Sequence, residues 1–326
     1  MAKIDRTVGW LAGKARTGSP PATGSNVRGE AISLQDAFPE AVEDPSGCHT
    51  IDHPTALPSF ALNRKTTTRA LLAELRLVYG IGAQYTVKLR ESGYASIPEL
   101  CDHPRWSDAS NALLAHWGTP LDPDAVYRSL ERWLPSADPL YLRSLGLLPI
   151  ERLLFFDLET LGLGGSPIFL VAVGRFTGEG FLIRQYLAAS LSAEVALLER
   201  MEAELRDASV LLSYNGKSFD WTILRERFAY YGLPAPSAPI HVDLLHHARR
   251  AFGSETPDCH LGTIEHRVLG IERSNDLPSA EVPTHYTAYL ETGNAAYLVP
   301  IVHHSRQDLA SLVVLLDHLL RIVSDA

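Results

Sequence analysis

Two carboxylates at the end of an apolar run are the first residues in the sequence that suggest chemistry. Asp157 and Glu159 follow the apolar residues 153–156 and stand two positions apart. Side chains at positions i and i+2 of a β-strand point to the same face, so these carboxylates converge. Their repulsion calls for a cation, and Mg²⁺ is typically held by one or two carboxylates together with substrate phosphates. The pair predicts a divalent-metal site, with a solvated acidic turn as the alternative.

Further acidic groups occur later in the chain in settings that suit catalysis. Asp220 begins a predicted helix directly after an apolar strand, and ligands gather at the carboxyl ends of strands in α/β sheets. A helix N-terminus also stabilises a carboxylate locally, by about 0.3–1 kcal/mol. His304 and Asp308 lie four residues apart and stack on one helical face. Such an acid and potential base can share a metal-bound water, whereas a partly solvated His–Asp pair would have no catalytic role.

The elements that must position these residues follow an α/β pattern from residue 153 onward. Strands are predicted at residues 153–158, 168–176, 181–187, 210–214 and 240–244. Helices are predicted at residues 192–206, 218–231 and 297–322. Three meandering strands followed by strands that alternate with helices predict a mixed sheet flanked by helices. Asp243, at the end of the last strand, is expected to support the site rather than to bind metal.

A helical region precedes the sheet and contains a glycine turn. Apolar residues at helical spacing lead into Gly80 and Gly82, and the helix that follows carries Lys88. A tight Gly-x-Gly turn between helices can present free N–H groups to a phosphate. The segment resembles a helix-hairpin-helix motif, which contacts nucleic-acid backbones without reading sequence, although an αα-hairpin with tightly packed glycines would look the same. Asn215 and Lys217 are further candidates for phosphate contact, with solvation as the alternative for Lys217.

Composition limits the classes of protein to which the chain can belong. With 326 residues, 46% hydrophobic and 21% charged, it matches an ordinary soluble globular protein of about two domains. The net charge of −9 argues against a large basic surface that grips nucleic acid by charge alone. The three cysteines, Cys48, Cys101 and Cys259, are far apart and fit a reducing cytoplasm. No apolar tract is long enough to predict a membrane span.

The ordered set of motifs resembles a known superfamily. Asp157-x-Glu159, Asn215-x-x-x-Phe219-Asp220 and His304-x-x-x-Asp308 together resemble the RNase H-like exonucleases with four acidic residues, often called DEDD. The closer resemblance is to the YprB-like branch, through stretches such as Phe156-Asp-Leu-Glu-Thr-Leu-Gly-Leu163 and Ser213-Tyr-Asn-Gly-Lys-Ser-Phe-Asp220. The similarity covers residues 153–320.

This resemblance implies a fold and a set of residue roles. The fold is an α/β, RNase H-like mixed five-stranded sheet flanked by helices, with the first three strands antiparallel. The implied activity is 3′ to 5′ hydrolysis of phosphodiester bonds with two Mg²⁺ or Mn²⁺ ions. Asp157 would bridge both ions, Glu159 and Asp308 would hold the ion that activates water, and Asp220 would support the second ion through water.

The implied general base is a histidine on the last helix. In the superfamily a His usually stands five residues before the final Asp and a Tyr four before it, but here both positions are His, namely His303 and His304. A regular helix favours His304, which shares a face with Asp308, and a local bulge would favour His303.

These observations predict an organisation and a function. We expect residues 1–63 to form a largely disordered or irregular arm, residues 64–148 a small helical region that binds nucleic acid, and residues 149–326 the RNase H-like exonuclease domain. The predicted function is a cytoplasmic, metal-dependent 3′ to 5′ exonuclease acting on DNA or RNA. The alternatives are a non-catalytic nucleic-acid-binding protein on the same scaffold and a structure-specific endonuclease.

Overall fold

A mixed β-sheet forms the centre of the structure. The computed structural model describes residues 31–57, 60, 62–162, 164–274 and 276–325, so the first 30 residues of the predicted arm lie outside the described residues. The strands are β1 (Val42–Glu43), β2 (Cys48–Thr55), β3 (Leu153–Thr160), β4 (Ile168–Thr177), β5 (Gly180–Ala188), β6 (Val210–Ser213) and β7 (Ile240–Asp243). Their order within the described sheet is β1-β2-β5-β4-β3-β6-β7.

The pairing of the strands confirms the predicted fold class. β3, β4 and β5 form an antiparallel meander, while β6 and β7 pair in parallel beside β3. β4 is buried on both faces from Ile168 to Gly174, as expected for a central strand that is covered by helices on either side. Alternate residues of β3 point to two different cores: Phe155 faces one, and Phe156 faces the other.

The sheet has two more strands than the five that were expected. β2 pairs with β5 in antiparallel register along its whole length, and β1 pairs with β2. The sequence predicts a largely irregular arm here, with room for a short strand or two that it does not place, and His49, Asp52 and Pro54 interrupt any regular apolar pattern in residues 48–55. Their partner explains the difference: without β2, the edge of β5 would present unpaired N–H and C=O groups.

Twelve α-helices within the described residues surround this sheet. They are α1 (Leu34–Ala37), α2 (Arg64–Leu72), α3 (Ala83–Glu91), α4 (Ser107–Trp117), α5 (Pro123–Trp133), α6 (Pro139–Ser144), α7 (Glu194–Asp207), α8 (Asp220–Tyr230), α9 (Leu244–Phe252), α10 (Leu261–Ile264), α11 (Val282–Thr292) and α12 (Leu298–Asp325). None of the described helices is long and apolar enough to cross a membrane.

Local sequence signals set several helix ends in the helical region. Asp122 caps α5 by accepting a hydrogen bond from the N–H of Asp124, and Pro123 occupies the first helical turn. Gly93 follows α3 with φ +92°, a conformation that other residues rarely adopt. Gly80 also has a positive φ, of +83°, which lets the chain turn between the 3₁₀ turn at Leu75–Leu77 and α3.

The helical region packs directly on the sheet and its helices. Buried residues of α5 and α6 belong to the same core cluster as Phe155 of β3 and Leu309 of α12. The hydroxyl of Tyr127 donates to the carbonyl of His241 on β7, and the ring of Tyr141 lies 6.4 Å from that of His247 on α9. The helical region and the sheet are therefore joined by a shared core.

α12 links both faces of the molecule to β3. Leu298 and Ile301, in its first turns, belong to one core cluster, whereas Leu309 and Leu316 belong to the other. The helix packs against β3. This crossing places the middle of α12, with His304 and Asp308, beside the end of the strand.

His247, which is buried between α9 and the helical region, should make the stability of the fold sensitive to acid. His247 is 3% exposed and its Nε2 has no hydrogen-bond partner among the described residues, and burial lowers its pKa to about 4. Because an unfolded histidine titrates near 6.5, its contribution to stability is complete above that pH and declines as the pH falls toward 4, by up to about 3 kcal/mol. His247→Phe should flatten the dependence of the unfolding free energy on pH between 4 and 6.5, measured by urea denaturation. An unchanged slope in the variant would show that another group carries the sensitivity.

Candidate catalytic site

The first two carboxylates extend past the ends of the neighbouring parallel strands. β3 pairs with β6 only from Leu153 to Phe155, while Asp157 continues the antiparallel ladder opposite Ala172. The ladder shifts register between Glu159 and Thr160. Asp157 and Glu159 therefore lie on one face of β3 at the carboxyl edge of β6 and β7, where α/β sheets bind ligands.

A tight turn brings Asp220 to the same edge. Asn215 has a φ of +63°, and its N–H donates to Asp243, as do the N–H groups of Lys217 and Leu245. A Cβ at Gly216 would lie 2.6 Å from Ser213 and 2.8 Å from Asp220 Oδ2. Glycine is therefore required at residue 216 for this close approach, and buried Asp243 holds the turn through its hydrogen bonds.

α12 presents His304 and Asp308 to this edge. Nε2 of His304 lies 3.8 Å from Oδ2 of Asp308, and the imidazole is 6% exposed. His303, one residue earlier, is exposed to solvent. The regular helix thus places His304, rather than its neighbour, on the face that carries Asp308.

The carboxylates meet in an environment that disfavours their charged forms. Burial and the neighbouring charges of Glu159 and Asp308 raise the pKa of Asp157 well above its ordinary value. Burial raises the pKa of Glu159 to about 8 and that of Asp220 to about 7. The charges of Asp308 and Asp220 contribute to these shifts after burial, so the acids from β3, α8 and α12 lie near one another.

His304 is held by a partner that the sequence did not indicate. Its Nδ1 lies 2.7 Å from Oδ1 of Asp276, which fixes the orientation of the ring. Burial alone would lower the pKa of His304, but the hydrogen bond to Asp276 and the charges of Asp308 and Glu159 raise it above the ordinary value. Nε2 is consequently the ring nitrogen that faces Asp308. We call Asp157, Glu159, Asp220 and Asp308 together the acidic cluster.

Arg273 supplies the main protein cation of the site. Both oxygens of Glu265, which is fully buried, accept hydrogen bonds from its guanidinium. The same guanidinium pairs with Asp276 at 3.0 Å and with Asp308. Sequence reasoning missed this residue, because nothing in a lone loop arginine indicates which distant carboxylates it will meet. The only feature of the sequence that pointed to such a residue was the set of converging acids, which requires a cation nearby.

The donor set at this edge suits a hard divalent cation. Asp157 Oδ2 is buried and has no hydrogen-bond partner among the described residues, which is costly unless a cation approaches it. The available donors are carboxylate oxygens, the ligands that Mg²⁺ and Mn²⁺ prefer. Within the described part of the chain, no three His, Cys, Asp or Glu side chains are already arranged to hold a metal ion. Arg273 occupies one oxygen of Asp308, and Mg²⁺ commonly completes its coordination with water and substrate phosphates.

The residues predicted to contact nucleic acid fall into two groups. Asn215 and Lys217 lie on the turn before Asp220, where Lys217 Nζ pairs with Glu131 at 3.2 Å. Gly80, Gly82 and Lys88 lie on the glycine turn and on α3 in the helical region, and all three are exposed. The structure therefore places the first group beside the acidic cluster and the second on the preceding helices.

A family model of the RNase H superfamily matches residues 154–320. The chain belongs to the RNase H superfamily. The match spans β3 to α12 and includes all five residues predicted to be catalytic, which are Asp157, Glu159, Asp220, His304 and Asp308.

Individual proteins are similar to this RNase H superfamily protein in sequence or in structure. YprB of Bacillus subtilis (strain 168) is 36% identical over 174 residues, which are 52% of this chain and 42% of YprB. A family B DNA polymerase from Pyrobaculum calidifontis has a TM-score of 0.43 at 20% identity, over 53% of this chain and 25% of the polymerase. A zinc-bound E. coli ExoI–ssDNA complex has a TM-score of 0.31 at 18% identity, over 49% of this chain and 42% of that one.

Removal of one buried charge should separate metal binding from folding. In EDTA, Asp157→Asn should have a Tm equal to or above that of the wild type, because it relieves repulsion among the carboxylates. Mg²⁺ should stabilise the wild type, by about 2.7 kcal/mol when its concentration is about 100 times Kd. The variant should not respond, whereas Asp207→Asn, on the exposed end of α7, should respond as the wild type does. Equal Mg²⁺ responses of wild type and Asp157→Asn, measured by thermal melting, would exclude Asp157 as a ligand.

Proposed function

We propose that this RNase H superfamily protein is a metal-dependent nuclease that hydrolyses phosphodiester bonds of DNA or RNA, as a 3′ to 5′ exonuclease with two divalent ions. The convergence of Asp157, Glu159, Asp220 and Asp308 carries the proposal. These four acids come from β3, α8 and α12, and the charges of neighbouring acids add to the effect of burial on the pKa values of Asp157, Glu159 and Asp220. An acidic cluster of this kind repels the phosphate backbone unless cations intervene, so the arrangement suits chemistry on phosphates only with metal present.

Each acid has a distinct place in this proposal. Asp157, whose Oδ2 has no hydrogen-bond partner in the part of the chain that the structure describes, would be shared between the two ions, while Glu159 and Asp308 would hold one of them and Asp220 would support the other. Bound Mg²⁺ or Mn²⁺ lowers the pKa of water and stabilises negative charge on the phosphate and on the leaving oxygen. The turn fastened by Asp243 holds Asp220 in position.

His304 is the general base in this mechanism. Its Nδ1 is engaged by Asp276, so Nε2 is the atom that takes the proton from the attacking water. Asp276 stabilises the imidazolium that forms, in the way that a carboxylate orients a catalytic histidine. Because Asp308 and Glu159 raise the pKa of His304 in the metal-free protein, neutralisation of these acids by cations favours the basic form of the ring.

Hydrolysis should depend on the carboxylates and on metal. Asp157→Asn and Asp308→Asn should each lower the rate by at least about 100-fold, because each removes charge that holds the cations. The measurement uses end-labelled DNA and RNA, single and double stranded, with Mg²⁺ or Mn²⁺. Asp207→Asn serves as the control and should retain full activity. Hydrolysis that persists in excess EDTA, or in either site variant, would refute the proposal, and cleavage of circular substrates would indicate an endonuclease.

Two adjacent histidines provide a matched test of the base. His304→Gln should lower kcat by about 100-fold to 10,000-fold, the range for loss of a general base. His303→Gln, one residue away and exposed, should change kcat less than about threefold, since surface substitutions rarely disturb a site. Equal losses in the two variants would assign the role elsewhere.

A further inference from the structure

Two neighbouring cavities on the helical region form a basic groove. A cavity of about 430 Å³ lies between α2, α3, α6, α9 and the end of α12, and a second of about 660 Å³ adjoins it. The side chain of Ala73 lines both cavities. We call the two cavities together the basic groove.

The charge of this groove is opposite to that of the whole protein. Its lining includes seven lysine and arginine side chains, among them Lys65, Arg69, Arg76, Arg90, Arg143 and Arg250. Of the described residues, only Glu74 and Asp138 contribute carboxylates to the lining. The chain as a whole carries a net charge of −9, so the cations are concentrated here far beyond what composition implies.

Most of these cations are available to a ligand. Arg76 takes up both carboxylates of the groove, at 2.7 Å from Glu74 and 3.1 Å from Asp138. Within the ranges that the structure describes, the side chain of Arg90 donates only to the backbone carbonyl of Ala73, and Arg90 is exposed. Lys65, Arg69 and Arg250 are also exposed. The groove therefore keeps an excess of positive charge after its internal pairs are formed.

We propose that the basic groove binds the phosphate backbone of nucleic acid. The cations come from α2, α3, α6, α9 and the 3₁₀ turn at Leu75–Leu77 and are spread over two adjoining cavities, which suits a polymer with repeated charges better than a single phosphate. The inference rests on the proposed function for the identity of the polyanion. It deepens that function by assigning the main electrostatic contact to α2, α3 and α9 rather than to the glycine turn.

The position of the groove fits an anchor at a distance from the cleavage site. Val323 lines the groove and Asp308 belongs to the acidic cluster, and fifteen residues of α12 separate them. At 1.5 Å per residue the separation is about 22 Å, or about six base-pair steps of B-DNA. A strand held in the groove would reach the acids with its end, where the proposed cations would offset the charge of the phosphate.

Binding without hydrolysis tests this assignment. The double variant Arg90→Gln/Arg250→Gln removes two exposed groove cations, and Arg200→Gln/Arg206→Gln removes two exposed cations of α7 as the matched control. Both are made in the Asp157→Asn background, and binding of fluorescent single-stranded and duplex DNA is followed by anisotropy in EDTA across a range of salt concentrations. The groove variant should lose at least about tenfold in affinity at low salt, and its log Kd against log salt should have a slope smaller by about two. The control should bind within about twofold of its parent.

Several outcomes would overturn the inference while leaving the proposed function intact. If the groove variant binds DNA with unchanged affinity and salt dependence while the wild type hydrolyses nucleic acid, the groove is not the binding surface and the proposed function stands. Inorganic phosphate or poly-glutamate that binds as tightly as DNA and is lost in the same variant would assign the groove to a small anion or an acidic protein. Conversely, a groove variant that loses DNA binding supports the groove even if the wild type hydrolyses nothing, and in that case only the proposed nuclease function fails.

Discussion

Repulsion among buried carboxylates is the constraint on which the rest of the structure depends. Asp157, Glu159 and Asp220 meet where burial raises their pKa values well above those of free carboxyl groups. Such an arrangement costs folding stability, and proteins keep this kind of local strain mainly at functional sites. Cations offset this cost. The protein itself provides one, Arg273, and in our proposal two divalent metal ions provide the rest.

The supports of the site come from segments far apart in the chain. Buried Glu265 holds Arg273, and Arg273 in turn contacts Asp308 and Asp276. Asp243 fastens the turn that leads to Asp220. A side chain held by such contacts loses little further conformational entropy when substrate or metal binds. The positions of the site residues are therefore set before binding.

The acidic cluster and the basic groove meet α12 at two different places. α12 carries Asp308, and Val323 near its end lines the basic groove. An acidic protein can therefore hold nucleic acid locally, because the field near a surface follows the nearest charges, and at about 0.15 M salt screening limits their reach to about 8 Å. The net charge of −9 argues against a large basic surface, but it does not show how the cations are distributed.

The sequence by itself determined the fold class and the order of the acidic motifs, because strand and helix periodicity are local. The two-residue spacing of Asp157 and Glu159 and the four-residue spacing of His304 and Asp308 each dictate a shared face without further information. The pairing of β2 with β5, the contact of Arg273 with Asp308 and the basic groove were decided only by the tertiary structure. Each depends on segments separated by tens to hundreds of residues, and the packing of α12 and the helical region on the sheet brings them together.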